Sequence, residues 1–357
     1  MKKSSYWWRG RLVIYAMALL LGLTGTLYSV GGSAGASGSK ISLTYASFGG
    51  SFEAGETSAF LGPFMKANPN VTILQDPNVN PATVAAMQLA HHVTWNIAST
   101  GNSDPYNNEK NLVKINCKIV ACNELIPNSG FDGYRMPYYT WATAITYNTK
   151  DFHGANVPQN WADFFNVKKY PGMRTMFNYM TADTLEAALI ASGVKPDKLY
   201  PLDMKRAFAE LNKLKGHIIW YSTGQQCESY VASGEASMGN CWNGRAYAGA
   251  QNGDPVAVQW NQCFQLIGDL AIVKGSANVN ESMKLLAFIT SAQHNARLSH
   301  YIAYGPTNAL ALKKVPASVK PYLSTSHTAA CINVNDSWLG SHPGVQTQLQ
   351  QYMSGGG

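Results

Sequence analysis

The chain has 357 residues, of which 46% are hydrophobic and 13% are charged, and its formal net charge is +7 at pH 7. Four of its 27 basic residues lie before position 12, and the others form no cluster of the kind that nucleic-acid-binding surfaces carry. The length beyond residue 36 suffices for two α/β domains of ordinary size.

The first 36 residues have the pattern of a secretory signal peptide. In chain order they contain the basic residues Lys2, Lys3, Arg9 and Arg11, the apolar run 12–27 and the cleavage pattern Ala34-Gly35-Ala36. A membrane anchor is the alternative, but glycines interrupt the apolar run, and a membrane span needs about 20 apolar residues. The first cysteine is Cys117, which argues against a lipid anchor near the cleavage site. We therefore predict a signal peptide over residues 1–36 and a periplasmic protein without a lipid anchor.

The next stretch predicts alternating strands and helices. Residues 41–47 and 71–74 are rich in β-forming residues, and residues 53–67 between them place apolar side chains at helical spacing. A short helix over residues 82–89 and a strand over residues 94–98 follow. This βαβ opening predicts a parallel sheet.

Two long apolar stretches, 138–148 and 266–273, predict strands that cross between two lobes. Shorter elements are predicted between and after them. These are helices at 161–165, 183–192, 201–215, 225–232 and 280–290, and strands at 217–221, 236–242 and 256–261.

Each predicted lobe is built from two separate parts of the chain. Lobe 1 comprises residues 37–140 and about 268–303, and lobe 2 comprises residues 141–267 and about 304–357. Ligands of such sheets bind in the crevice outside the carboxyl ends of the strands. The crevice is expected between the lobes, where a hinge motion closes it.

The chain holds six cysteines, and an even count in an oxidising compartment indicates disulfides. Six cysteines allow 15 pairings, and the sequence does not choose among them. Cys117 and Cys122 are close enough to close a small loop, so we expect this pair first. A metal site is the alternative, but a C-x4-C pattern without a second ligand pair is weak evidence for zinc.

Four segments resemble one protein family. They are residues 45–55 (YASFGGSFEAG), 161–171 (WADFFNVKKYP), 237–247 (SMGNCWNGRAY) and 304–308 (YGPTN). The chain resembles the extracellular solute-binding proteins of bacterial ABC importers, in the spermidine/putrescine-binding-like family. The resemblance implies an α/β, two-lobed periplasmic-binding-protein type II fold with a hinge and an interlobe ligand cleft. It also implies a monomer that delivers a small solute to a membrane permease, without a cofactor and without catalysis.

The resemblance also indicates where the ligand binds. The loop after the first strand contributes Phe48, Gly49 and Ser51, since glycine allows a tight turn and N–H groups at a helix N-terminus can meet an anion. Trp242 matches an aromatic wall, and aromatic faces attract ammonium groups. Arg245 stands where polyamine receptors carry a small residue, and a guanidinium suits a carboxylate. Ordinary turns, core packing and a surface salt bridge are the alternatives.

The acidic candidates each have an alternative explanation in the sequence. Asp183 and Glu186 match an acidic pair that polyamine receptors aim at an ammonium, but the same D-x-x-E spacing also forms a helix capping box. Similar receptors carry an Asp in the returning strand, where this chain has Gly268 and then Asp269. A one-residue offset in a strand turns the side chain to the other face, so either Asp269 replaces it through a local bulge or the acidic partner of an amine is missing.

Tyr304 matches an aromatic residue at the cleft of the family, and the following Gly-Pro predicts a turn there. Together, Arg245 and the missing Asp favour an amino-carboxylate ligand of the γ-aminobutyrate kind over a polyamine. Spermidine or putrescine is the alternative. An unrecognised secreted hydrolase is a second alternative, although the common hydrolase and phosphate-binding motifs are missing from the sequence. No metal site is predicted, because His91-His92 are adjacent and face different ways.

Overall fold

A computed structural model describes residues 39–79, 81–101, 109–180 and 184–355. The predicted signal peptide and Asp183 lie outside these ranges. No helix within them is both long and apolar enough to cross a membrane.

The described chain forms a mixed α/β fold around one sheet of ten strands. The strands are β1 (Ile41–Ala46), β2 (Val71–Asp76), β3 (Ile97–Gly101), β4 (Arg135–Asn148), β5 (Arg174–Phe177), β6 (Ile218–Tyr221), β7 (Met238–Trp242), β8 (Val256–Ile272), β9 (Gly305–Pro306) and β10 (Ile332–Asn333). The main order is β2-β1-β3-β8-β4-β7-β5-β6, while β9 pairs with β4 and β10 with β8.

The helices lie between and after these strands along the chain. They are α1 (Gly50–Glu56), α2 (Gly62–Ala67), α3 (Pro81–Leu89), α4 (Trp161–Phe165), α5 (Thr184–Ala191), α6 (Met204–Leu211), α7 (Gly224–Ser233), α8 (Asn243–Gln251), α9 (Val279–Thr290), α10 (Asp336–Ser341) and α11 (Gly344–Met353). A π-helical turn over Thr57–Leu61 joins α1 to α2, so the predicted helix over residues 53–67 is one continuous feature with a wider middle.

The parallel opening is confirmed, since β1 pairs in parallel with both β2 and β3. The third strand begins at Ile97 instead of residue 94. Just before this strand, the side chain of Asn96 accepts a bond from the Thr44 backbone N–H at 2.8 Å and donates to the Ala277 carbonyl oxygen at 2.5 Å. These side-chain bonds anchor the residue before the ladder begins.

The two long strands β4 and β8 pair antiparallel along most of their lengths. The strands predicted at 256–261 and 266–273 are therefore parts of one strand, interrupted by a register shift that lies opposite Thr143 and Ile145. At this shift Gln262 takes a positive φ of 64°. Its side-chain oxygen and its carbonyl oxygen accept bonds from the backbone and indole N–H groups of Trp161.

Two large hydrophobic cores lie on either side of the middle of β4 and β8. The first, core A, takes its buried residues from 43–139 and 270–304, with Phe60, Ile97 and Leu286 among them. The second, core B, takes them from 145–266 and 332–349, with Trp161 and Leu189 among them. Each core thus joins two separate stretches of chain, as a two-lobed fold requires.

All six cysteines form disulfides: Cys117–Cys122, Cys227–Cys241 and Cys263–Cys331. The expected pairing of Cys117 with Cys122 is confirmed. The third bond connects residues 68 positions apart and ties the segment before β10 to β8. A cross-link over a long loop restricts the unfolded chain most, which stabilises the folded state.

A buried carboxyl group stands in core A. Glu56 at the end of α1 is fully buried, and its carboxylate accepts hydrogen bonds from Tyr45 at 2.6 Å and Tyr138 at 2.7 Å and a third from Ser47. Burial raises the pKa of Glu56 to about 7, because the three hydroxyl bonds oppose the loss of hydration without offsetting it.

The raised pKa makes stability depend on pH. An unfolded glutamate titrates near 4.5, so the native state binds the proton more tightly and loses stability as pH rises from about 4.5 to about 7. For this difference the loss is about 3 kcal/mol. We expect Glu56→Gln to make the decline in unfolding free energy between pH 5 and pH 8 shallower, measured by denaturant melts. Glu235→Gln on the exposed surface is the control. A Glu56→Gln protein with the wild-type slope would contradict the assignment.

Candidate functional site

A cavity of about 380 Å³ lies between the two cores. Eight aromatic residues line it, together with a few polar ones. The aromatic residues are Phe48, Phe52, Tyr139, Trp141, Phe177, Tyr179, Trp242 and Tyr304. A mostly apolar concavity with a few polar groups is the usual form of a small-molecule site.

The junction of β7 and α8 supplies Trp242 and Arg245, both of which line the cavity. Trp242 ends the strand, and Arg245 lies in the first turn of the helix that begins at Asn243. The Asn243 side chain holds this junction, because it accepts from the Ala142 N–H at 2.8 Å and donates to the Ala303 and Tyr322 carbonyl oxygens. The predicted wall residues therefore stand on a well-anchored turn.

Arg245 is only 2% exposed and reaches the loop after β1. Its guanidinium donates to Ser51 Oγ at 3.0 Å, to the Gly49 carbonyl oxygen at 3.0 Å and to the Phe48 carbonyl oxygen at 3.4 Å. The loop was predicted to offer N–H groups to an anion. Instead, its carbonyl oxygens accept from the arginine, which joins the two sides of the cavity.

The positive charge of Arg245 has no acidic partner within 4 Å among the described residues. Its guanidinium carbon lies 5.7 Å from the Phe52 ring centroid, and its Nε has no hydrogen-bond partner there. Burial of an unpaired charge is costly, so such a cation favours an anionic ligand group beside it.

Two further donors on the cavity wall lack partners within the described chain. They are the hydroxyl of Thr100 and the indole N–H of Trp242. With Arg245 Nε they make three donor groups around one cavity. Buried donors are normally paired, so this set suits a ligand that brings acceptor oxygens.

Backbone conformation and close packing explain the two glycines at the start of α1. Gly49 and Gly50 take positive φ values of 63° and 59°, a region that residues with a side chain rarely adopt. A Cβ atom on Gly50 would also lie 3.0 Å from Arg245 Nη1. The loop can approach the guanidinium only because these positions lack side chains.

Tyr304 belongs to an aromatic group that closes one side of the cavity. Its ring stacks on Tyr139 at 5.1 Å and meets Phe52 edge to face at 5.5 Å. Burial raises the pKa of Tyr304 to about 12, although the neighbouring Arg245 opposes the rise. The phenol therefore stays neutral and can donate a hydrogen bond.

Adjacent Tyr138 and Tyr139 touch each other, with ring centroids 4.6 Å apart, although a regular strand would turn them to opposite faces. A register shift between Pro137 and Tyr139 explains this contact. Tyr138 bonds to Glu56 and Ser99, whereas Tyr139 lines the cavity. No group of metal-ligating side chains occurs in the described parts of the chain.

Gly268 lies directly under the Tyr139 ring. A Cβ atom on Gly268 would lie 2.0 Å from Tyr139 Cε1, so no larger residue fits while the ring stays in place. The bulge that the sequence allowed at this point does exist, but on the facing strand β4. The tyrosine ring thus takes the space in which a side chain at position 268 would stand.

Asp269 is fully buried and is not among the described residues of the cavity wall. Neither of its carboxyl oxygens has a hydrogen-bond partner within the described chain. Burial raises the pKa of Asp269 well above its ordinary value, which favours the neutral acid. Its predicted role as an amine partner therefore has no support from its position.

Glu186 lies on α5 and is also away from the cavity wall described above. Its carboxylate accepts a hydrogen bond from the Tyr200 hydroxyl at 2.9 Å beside core B. The structure thus brings together Phe48, Trp242, Arg245 and Tyr304 around the cavity, with Gly49 and Ser51 behind them.

The sequence reasoning missed several wall residues. Thr100 is the last residue but one of β3, and Tyr139 and Trp141 lie in the middle of β4. Phe177 ends β5, and Asp336 begins α10. Position at the carboxyl end of a parallel strand is the signal that would have indicated Thr100 and Phe177. Asp336 follows a two-residue strand that no local pattern marks.

Comparison with known proteins identifies similar chains. The family model described as "bacterial extracellular solute-binding protein" matches residues 62–322. A γ-aminobutyric acid-binding protein of Pseudomonas aeruginosa is 29% identical over 309 residues, covering 84% of this chain and 87% of that protein. A spermidine/putrescine-binding periplasmic protein of Escherichia coli is 27% identical over 228 residues, covering 61% and 64%. The solved structure of the Atu4243-GABA receptor superposes with a TM-score of 0.79 at 30% identity, covering 87% of this chain and 97% of that one.

The contact between Gly268 and Tyr139 can be tested by substitution. We expect Gly268→Ala to destabilise the protein by about 1–3 kcal/mol, because the added methyl group overlaps the ring. In the Tyr139→Ala background the same change should cost much less. Thermal melts of the four proteins measure this coupling. Gly344→Ala is the control, since a Cβ atom there meets nothing within 4 Å. Equal costs in both backgrounds would contradict the contact.

Proposed function

The chain belongs to the bacterial extracellular solute-binding protein family, and we propose that it captures a small amino-carboxylate of the γ-aminobutyrate kind for import. The family and the relatives support the general role, in which a receptor binds a small solute and delivers it to a membrane permease. The single observation that carries the ligand class is Arg245, a buried cation on the wall of an aromatic cavity.

A carboxylate is the ligand group that this cation favours. Two of the guanidinium's three nitrogens are bound to the loop after β1, and Nε has no partner in the described chain. Charge-assisted bonds to a carboxylate are about twice as strong as neutral ones. Thr100 and Trp242 add neutral donors to the same cavity.

An amine group fits the rest of the cavity. The faces of tyrosine and tryptophan rings attract ammonium groups by about 0.5–2 kcal/mol, and eight aromatic residues line this site. The relatives that resemble this chain are named for γ-aminobutyrate or for polyamines, and each of these ligands carries an amine.

A polyamine is the weaker candidate. It has no anionic group for Arg245, and a second cation beside a buried guanidinium is repelled. Position 268, where the family resemblance predicts an Asp, is a glycine under the Tyr139 ring. The likeness to the polyamine receptor also covers a smaller part of this chain than the likeness to the γ-aminobutyrate receptor.

The proposed cellular setting follows from the same role. Residues 1–36 act as the export signal, and the mature protein works in the periplasm as a monomer without a lipid anchor and without catalysis. Lobe 1 comprises residues 37–140 and about 268–303, and lobe 2 comprises residues 141–267 and about 304–357. Core B takes its buried residues from lobe 2, and core A takes its buried residues from lobe 1 apart from Tyr304, which supports this division except at its boundary near residue 304.

A thermal-shift screen tests the ligand class directly. Residues 37–357 are melted with γ-aminobutyrate, related amino acids, simple carboxylates, betaines, putrescine and spermidine. A ligand present at 100 times its dissociation constant adds about 2.7 kcal/mol to the free energy of unfolding. We expect a rise in Tm with amino-carboxylates. A rise with polyamines alone would overturn the proposal.

Arg245→Ala should weaken binding of the amino-carboxylate by about 2–5 kcal/mol, the usual loss when one partner of a buried charge pair is removed. Isothermal titration calorimetry measures the change. Ser51→Ala is the matched control, because it removes one hydrogen-bond partner of Arg245 and keeps the charge. An unchanged affinity in Arg245→Ala would exclude the arginine from the site. A Ser51→Ala loss as large as that of Arg245→Ala would mean that the arginine acts only through the loop.

A further inference from the structure

The cavity wall carries one residue of each charge. Among its described residues, Arg245 is the only basic one and Asp336 is the only acidic one. Arg245 enters from the start of α8, and Asp336 enters from the start of α10, so the two charges come from separate elements. A cavity with both charges suits a ligand that also carries both.

Asp336 stands on a well-fixed part of the chain. It is the first residue of α10, and the side chain of Asn335 caps this helix by accepting from the Trp338 N–H at 2.9 Å. Just before it, β10 pairs with β8, and the Cys263–Cys331 disulfide ties the same segment to β8. The aspartate is thus held against the strand that passes under the cavity.

The other described acidic groups discussed above do not belong to the cavity wall. Glu56 receives bonds from three hydroxyl groups inside core A. Asp269 lies off the wall and is fully buried, and burial raises its pKa. Glu186 accepts a bond from Tyr200. At Gly268 the Tyr139 ring leaves no room for an acidic side chain.

We propose that Asp336 binds the ammonium group of the ligand and thereby selects amino-carboxylates over ligands that carry only a carboxylate. This inference deepens the proposed function and rests on the same cavity. Arg245 then sets where the carboxylate lies, and Asp336 sets where the amine lies. The aromatic residues of the cavity wall exclude water, which strengthens both charge interactions.

Calorimetry with two variants and three probes tests this role. The probes are γ-aminobutyrate, which carries an amine and a carboxylate, butyrate, which carries only the carboxylate, and putrescine, which carries only amines. Asp336→Asn keeps the shape and removes the charge, and Asp336→Ala removes the amide as well. Asp197→Asn is the control, because this exposed aspartate lies outside the cavity wall and loses the same charge.

We expect Asp336→Asn to bind γ-aminobutyrate at least ~10-fold more weakly, since loss of one partner of a close charge pair has effects of this size or larger. Butyrate should bind no more weakly, and the butyrate-to-γ-aminobutyrate affinity ratio should rise. A residue that only supports the fold would weaken both ligands alike. Asp197→Asn should bind as the wild-type protein does. Thermal melts of each variant show that it is folded.

The outcomes separate the two proposals. Unchanged γ-aminobutyrate binding by both Asp336 variants would overturn the role of Asp336 and leave the proposed function standing. A loss with Asp336→Asn, but none with Arg245→Ala, would support Asp336 and overturn the carboxylate assignment. If the wild-type protein bound only putrescine, the amino-carboxylate class would be overturned. If it bound only butyrate, both the amino-carboxylate class and the role of Asp336 in binding an amine would be overturned. No binding of any probe would overturn both.

Discussion

The antiparallel pairing of β4 and β8 is the constraint on which the rest of the molecule depends. These two strands run through the middle of the sheet and carry the chain between the two cores. Because both strands continue past the middle, each core must be assembled from two separate stretches of sequence. The cavity lies where both strands pass from one core to the other, with Tyr139 and Trp141 of β4 and Leu266 of β8 on its wall. The remaining wall residues come from β3, from the ends of β5 and β7, and from neighbouring loops and helices.

Charge burial gives the cavity its chemical character. Glu56 and Arg245 are both buried, but their hydrogen-bond partners differ. Three hydroxyl groups hold the Glu56 carboxylate behind the wall, and burial still raises its pKa to about 7. Arg245 has carbonyl and hydroxyl oxygens around it and no acidic partner within the described residues. The cavity therefore presents a positive charge that an acidic ligand group can neutralise. The Glu56 carboxyl group lies behind the wall and does not neutralise this charge.

Packing of the Tyr139 ring also determines which side chains can reach the cavity. The Tyr139 ring covers Gly268 and stacks on Tyr304, so an apolar surface occupies a place where related receptors are expected to hold an acidic side chain. Any acidic contact with an amine must then come from another element. Asp336 meets this requirement because the β10 pairing and the Cys263–Cys331 disulfide bring the start of α10 to the wall. The C-terminal segment of the described chain thus contributes to a site whose other wall residues lie between positions 48 and 304.

The sequence by itself determined the local elements and the residue types. Alternation and helical spacing identified the parallel opening, the long crossing strands and most helices, because these patterns reflect burial on one face of a local element. Family motifs identified Phe48, Trp242, Arg245 and Tyr304, all of which line the cavity. Only the tertiary structure decided what these residues face. The contact of Arg245 with the loop at 48–51 joins residues nearly 200 positions apart, and the Tyr139 ring over Gly268 follows from a bulge that no periodicity reveals. Asp336 lies at the cavity only because a two-residue strand and a disulfide cross-link place it there. Such contacts depend on how separate elements pack together, and that information is absent from the pattern of any single segment.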